Sequence, residues 1–155
     1  EIALLFTKWI DEETIGNKIS KGFRYKFNLL FRGSLDGGSS KKFHVAVIQN
    51  SSLLVGGYNP LDWNGDTCKQ TINSFLFILD YNDITNAIVS RVNRNNSRLA
   101  IGCFNSYGPC FGEGPDLYVP NNSNIWKFKA KTYPKLVDQN SLTISDYEVF
   151  QVEQI

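Results

Sequence analysis

An alternating segment in the first quarter of the chain constrains the fold most. Over residues 23–32, large apolar side chains occupy every second position and mostly polar side chains lie between them: Phe23, Tyr25, Phe27, Leu29 and Phe31 alternate with Arg24, Lys26, Asn28, Leu30 and Arg32. Successive side chains of a strand point to opposite faces, so this pattern predicts a β-strand with one buried face. A strand with one apolar face needs another layer to cover it.

Other segments predict further strands. Residues 45–49 and 53–58 are two candidates joined by a short polar turn, and residues 74–80 are apolar on both faces, which is typical of a central strand. Shorter strands are predicted at residues 87–92, 98–104, 117–119, 125–129 and 142–152, the last with a bulge at Ser145 or Asp146. The many turn-separated strands, with 11 Phe, 7 Tyr and 3 Trp, indicate a mainly β fold of two antiparallel sheets packed as a sandwich.

Little of the chain is left for helix. Residues 2–10 predict a short helix that ends near Asp11, followed by a polar connector over residues 11–14 and by Ile15 and Ile19 at helical spacing. We therefore expect residues 1–21 to form a helical linker that packs on a domain of residues 22–155. A second short helix is predicted over residues 41–44, capped by Ser39 or Ser40.

Length and charge narrow the class of protein. A chain of 155 residues suits one domain with one core. Its net charge of +1 argues against an extended nucleic-acid interface, and no apolar run approaches the roughly 18 residues that a membrane-spanning helix needs. Because the chain contains no methionine, we expect it to be part of a longer protein.

The cysteines and the one histidine predict neither a disulfide framework nor a metal site. Cys68, Cys103 and Cys110 are odd in number and no two are spaced as CxxC, so reduced thiols and a cytoplasmic location are expected. His44 with three scattered cysteines lacks the paired spacing of a zinc site. The glycines of residues 36–40 lack the frame of a phosphate loop, and no cofactor is expected.

The glycine-rich run of residues 108–119 carries the main candidate site. Glu113 and Asp116 present two carboxylates around a Gly-Pro step, and they form the predicted contact surface together with Asp36 and Arg32. The alternative is a tight turn in which glycines supply positive φ and Asp116 accepts backbone hydrogen bonds. Cys110, expected to be exposed beside this turn, is the candidate redox thiol, whereas Cys103 is expected in the core.

Several short segments, in their order, resemble the TLDc domain family. They are residues 28–37, 42–44, 56–63, 74–77, 108–119 and 145–150. The amino-acid sequences of residues 56–60 and 146–150 are similar to those of the fungal branch of the family, in which such domains often follow a BTB domain. The resemblance implies a two-sheet β-sandwich flanked by short helices, an association with resistance to oxidative stress, and binding to the vacuolar proton ATPase. It brings no agreed active site.

One departure from the family pattern and three functional hypotheses follow. After His44 the family has a longer helix and a loop, and this chain is shorter there by about ten residues, a length change that surface loops tolerate. The first hypothesis is a non-catalytic interaction module that binds vacuolar proton ATPase subunits, or a cullin-type ligase if a BTB domain precedes it. The alternatives are an enzyme that uses Cys110 or Glu113 with Asp116, and a carbohydrate- or small-ligand-binding sandwich that uses Trp63 and Trp126.

Overall fold

The computed structural model describes residues 1–14, 25–32, 42–61, 65–103, 107–113, 115–120 and 123–154. Within these ranges the fold is mainly β, with one α-helix, α1 (Ile2–Thr14), and one 3-10 helix (Arg94–Leu99). The strands are β1 (Tyr25–Arg32), β2 (Lys42–Ile48), β3 (Leu53–Asn59), β4 (Thr67–Lys69), β5 (Phe75–Asp80), β6 (Asp83–Arg91), β7 (Ile101–Cys103), β8 (Tyr107–Phe111), β9 (Leu117–Pro120), β10 (Ile125–Phe128) and β11 (Ser141–Gln154).

The described strands form one continuous antiparallel sheet. Its order is β4-β7-β8-β9-β10-β11-β2-β3-β5-β6, and β1 also pairs with β11. The long strand β11 joins the part of the sheet formed by β4, β7, β8, β9 and β10 to the part formed by β2, β3, β5 and β6. Its residues 141–143 pair with β10, and its residues 144–151 pair with β2. Its register shifts between Ile144 and Asp146, which confirms the predicted bulge, and a bulge bends the strand that carries it. The predicted division into two sheets is not confirmed.

Two clusters of buried side chains hold these elements together. The first, here called the inner core, combines Trp126 and Phe111 from one part of the sheet with Ala46, Val55 and Leu76 from the other. The approach is close, because a Cβ on Gly57 would lie 2.7 Å from the Phe111 ring. Glycine at position 57 of β3 therefore allows the Phe111 ring of β8 to pack against β3.

The second cluster, here called the helix-side core, lies between α1 and the sheet. Phe6 and Trp9 of α1 pack on Phe77 with ring centroids 5.0 and 5.7 Å apart, and Trp9 meets Phe75 edge-on at 6.0 Å. The helix thus covers this part of the sheet with an aromatic face.

The structure changes several expected element boundaries. The helix continues to Thr14, so residues 11–14 are helical and do not form a connector. The short helix predicted over residues 41–44 is wrong, because Lys42 begins β2, which is paired on both sides with β3 and β11. Strands β4 and β8 had no prediction. Ile15, Ile19, Ser39 and Ser40 lie outside the described residues.

The helices of the described part are also too short or too polar to cross a membrane.

Candidate functional site

The glycine-rich run forms strand β8, a turn, and strand β9. Gly112 opens the turn with φ of +82°, a conformation that L-residues with a side chain rarely adopt. A Cβ at this position would overlap the carboxylate oxygen Oδ1 of Asp116. The turn therefore requires glycine at position 112 for two reasons: the positive φ of its backbone, and the space that the Asp116 side chain occupies.

Asp116 is a buried carboxylate that organises the neighbouring loop. Its side chain is 3% exposed, and Oδ2 accepts hydrogen bonds from the backbone N–H groups of Lys131, Thr132 and Tyr133 at 2.7, 2.8 and 2.7 Å. Such charge-assisted bonds are among the stronger ones in proteins. Asp116 thus acts as the turn interpretation requires, and its burial removes it from the predicted contact surface.

Glu113, in contrast, is exposed at the tip of the same turn. Its N–H donates to Thr132 Oγ1 at 2.8 Å, and its carboxylate lies 3.0 Å from Lys131 Nζ. Both charged side chains are about half exposed, so the ion pair itself contributes little to stability. Of the two carboxylates in the run, Glu113 is the one that a partner can reach.

Tyr133 completes this region and had no signal in the sequence. Its hydroxyl donates to the carbonyl of Ala100 at 2.7 Å and lies 2.6 Å from Ser74 Oγ. Because the Tyr133 proton is used on Ala100, the Ser74 hydroxyl is the donor of the second bond. Burial raises the pKa of Tyr133 above its usual value. These partners are 33 and 59 residues away in the chain, so local pattern does not reveal them.

The three cysteines lie on the neighbouring strands β4, β7 and β8. Cys110 is fully buried, Cys103 is 2% exposed as expected for a core residue, and Cys68 is half-buried. Burial, followed by the neighbouring Cys68, Cys103 and Asp116, raises the pKa of Cys110 to about 12. The expectation that Cys110 is exposed is wrong. A redox thiol needs access and a low pKa, and this environment gives Cys110 neither.

The remaining candidates are dispersed over the fold. His44 is buried in β2, where its ring meets Phe111 edge-on at 6.4 Å. Trp126 is also fully buried and packs on Tyr147, so it cannot present a flat surface to a sugar. Arg32 lies in β1 opposite Glu148 of β11, and in the sequence it is distant from the turn at residues 112–116. Asp36 and Trp63 lie outside the described residues.

Among the described residues, no three His, Cys, Asp or Glu side chains are grouped so that they could hold a metal ion. The family model of the TLDc domain matches residues 12–153. The chain belongs to the TLDc family. This confirms the resemblance over nearly the whole chain. A comparison with curated proteins gave no match.

Within this TLDc domain, several residues of the run 108–119 have structural roles. Phe111 and Leu117 fill the inner core, Gly112 provides the turn, and Asp116 fixes the loop at residues 131–133. Most of the described residues of the run therefore stabilise the fold. Among the residues of the run whose burial the structure describes, Glu113 is the exposed one.

Proposed function

We propose that this TLDc domain is a non-catalytic protein–protein interaction module. The observation that carries the proposal is the use of the run at residues 108–119: its carboxylate Asp116 and its thiol Cys110 are buried in structural roles. A catalytic or redox role would need these groups to be accessible to a substrate. A binding role needs a well-ordered surface, and the buried hydrogen bonds of Asp116 provide the support for one.

The partner that we propose is a subunit of the vacuolar proton ATPase, on the cytoplasmic side of its membrane. This follows from what the TLDc family is associated with, as does a role in resistance to oxidative stress. If a BTB domain precedes residue 1 in the full protein, the domain would serve as the substrate-binding half of an adaptor for a cullin-type ligase. The free thiols of Cys68, Cys103 and Cys110 support a reducing compartment.

Glu113 is our proposed contact residue within this surface. It is exposed, and its backbone is held in place by the hydrogen bond to Thr132. Asp36 and Arg32 stay in the proposed contact set as predictions from the sequence. An exposed acidic residue suits a partner with a basic patch, because complementary charge increases association rate and selects among partners.

A binding experiment with purified components tests both parts. The domain is immobilised and incubated with purified peripheral subunits of the vacuolar proton ATPase, with bare resin as background. We expect retention of at least one subunit, and weaker retention by Glu113→Lys. The matched control is Asp138→Lys, since Asp138 also pairs with a lysine, Lys135, at 3.1 Å and is highly exposed.

The outcomes separate the proposals. Retention that is equal for both variants and the unchanged domain would exclude Glu113 as the contact. Absence of all retained subunits would remove the proton pump as the partner.

A further inference from the structure

A groove lies on the helix side of the sheet, beside the first turns of α1. We call it the α1 groove, and its volume is about 280 Å³. Helix α1, strands β2 and β3, and strand β11 contribute its lining residues: Ile2, Phe6, Val45, Val47, Leu54, Asp146, Tyr147, Glu148 and Phe150. Most of this lining is apolar, and exposed apolar grooves on proteins mark interaction sites.

The position of α1 explains why the groove is open. The helix packs aromatic side chains on Phe75 and Phe77 of β5, and Phe6 also contacts Phe27 of β1 with ring centroids 6.4 Å apart, so those parts of the sheet are covered. On the β2 and β11 side, Val45, Val47 and Phe150 remain only half-buried. The helix therefore covers one part of the apolar sheet face and leaves the adjoining part accessible.

The described residues that line the groove contribute two charged side chains, and both are acidic. They are Asp146, which is exposed, and Glu148, which is half-buried and lies opposite Arg32 of β1. Asp146 is exposed and lies opposite Val47 in the sheet, while Glu148 lies opposite Val45. Each carboxylate thus adjoins an apolar side chain. A ligand that fits this arrangement has large apolar groups next to a positive charge.

The size of the groove favours side chains over a whole small molecule. Pockets for drug-sized ligands usually measure about 300–1,000 Å³ and enclose most of the ligand. A shallower groove of this size accommodates one or two large side chains of a peptide. Laying the apolar face of an amphipathic helix into such a groove is a common mode of peptide recognition.

We infer that the α1 groove binds an amphipathic segment of a protein partner, with one or two large apolar side chains on Val45, Val47 and Phe150 and a Lys or Arg at Asp146. The inference rests on the proposed interaction role and specifies the surface that performs it. The exposed carboxylate of Asp146 disfavours an anionic lipid surface, which it would repel from the same place.

Two synthetic peptides test the inference. Both are labelled amphipathic helices with the same leucine positions, and their polar faces carry only lysine in one and only glutamate in the other. We expect the lysine peptide to bind the full chain and the glutamate peptide to bind far more weakly, measured by fluorescence anisotropy. Asp146→Lys should weaken binding of the lysine peptide about tenfold, because it replaces attraction by repulsion.

The matched control is Glu153→Lys, an exposed carboxylate on the same strand that does not line the groove. It should change the affinity less than about twofold, as expected for a single exposed charge at a distance. Circular dichroism checks folding, and Asp146→Asn replaces Asp146→Lys if the latter does not fold. NMR amide shifts should locate the bound peptide at residues 45–47 and 146–150.

The inference is overturned if the lysine peptide does not bind, if both peptides bind equally, if the two lysine variants lose affinity equally, or if the shifts fall on another face. The Asp146→Lys variant is also tested for retention of proton-pump subunits. Subunits retained by a domain whose groove binds no peptide would leave the interaction role standing and exclude the groove. Peptide binding without retained subunits would support the groove as a binding site and exclude the proton pump as the partner.

Discussion

At the scale of single residues, the structure gives opposite roles to two carboxylates that lie three positions apart. Asp116 is buried and bound to three backbone N–H groups, while Glu113 is exposed and paired with Lys131. In the sequence both belong to one acidic turn. Their difference arises from the loop at residues 131–133, which covers one of them and not the other.

Removing the Asp116 carboxylate should destabilise the fold strongly. Asp116→Ala leaves the N–H groups of residues 131–133 without their acceptor, two of them fully buried. We expect a loss of about 4 kcal/mol in the free energy of unfolding, measured by urea denaturation. The same substitution at the exposed Asp138 should cost less than about 0.5 kcal/mol. Similar losses at both sites would contradict the structural role of Asp116.

Alanine substitutions at Gly112 and Gly65 distinguish backbone strain from steric overlap of the added Cβ. Both have positive φ, +82° and +92°, but a Cβ at Gly112 would overlap Asp116, whereas at Gly65 the nearest atom is 4.0 Å away. Gly65→Ala should therefore cost about 1 kcal/mol from backbone strain alone, and Gly112→Ala about 3 kcal/mol. Thermal unfolding of the two variants measures the difference. Equal shifts would mean that Asp116 yields easily to the added methyl group.

The buried thiol should make the fold sensitive to alkali. Burial raises the pKa of Cys110 from 9.0 to about 12, so above pH 9 the unfolded chain loses this proton while the folded chain keeps it. Stability should therefore fall as pH rises from 9 towards 12, by about 1.4 kcal/mol per pH unit from this group. Urea midpoints for the unchanged chain and for Cys110→Ala test this, since the variant should fall less steeply. Tyr133 acts in the same direction in both proteins. Parallel pH curves would contradict the prediction.

At the scale of elements, α1 is part of the core and not an appendage to it. Its aromatic residues contribute to the same cluster as the sheet residues Phe75 and Phe77. Trp9→Ala should reduce the free energy of unfolding by about 4 kcal/mol, since it leaves a large cavity between helix and sheet. Leu4→Ala on the same helix is the control, because Leu4 is 75% exposed and should change stability by less than about 0.5 kcal/mol. Urea denaturation measures both, and a small effect of Trp9→Ala would show that α1 is weakly attached.

The sequence predicted the elements that carry a clear local pattern. The alternating segment predicted over residues 23–32 is a strand in its described part, Tyr25–Arg32, although the pairing of that strand shifts register between Leu29 and Phe31. The apolar run in β5 is also a strand, and the bulge in β11 was visible as an offset in its pattern. The prediction of a short helix was wrong at residues 42–44, where strand pairing on both sides overrides local capping signals. The three-residue strand β4 is too short to show a period.

The candidate site was predicted less completely, for a physical reason. Glycine at position 112 and the carboxylate of Asp116 carry local signals of a turn, and the structure shows both in that role. Burial of Cys110 and Asp116, however, depends on segments distant in the chain, such as the loop at residues 131–133. Contacts between distant segments leave no periodicity in either one. The α1 groove could not be predicted for the same reason.

At the scale of the whole molecule, the continuous sheet predicts a single unfolding transition. Trp9 reports on the helix-side core and Trp126 on the inner core, and β11 supplies residues to both. Two variants, Trp63→Phe with Trp126→Phe and Trp63→Phe with Trp9→Phe, each leave one fluorescent reporter. Their denaturation curves, each compared with its own circular dichroism, should coincide, as in a two-state protein. Separate transitions would show that the two cores unfold independently.

The pairing of β11 also has a consequence for how the domain is made. It is the last of the described strands along the chain, yet β1, β2 and β10 all pair with it. While a ribosome is still synthesising residues before 141, the edges of β2 and β10 that face β11 have no partner. Unpaired strand edges are prone to join other chains. We therefore expect nascent copies to be prone to association with other chains until this strand emerges from the exit tunnel.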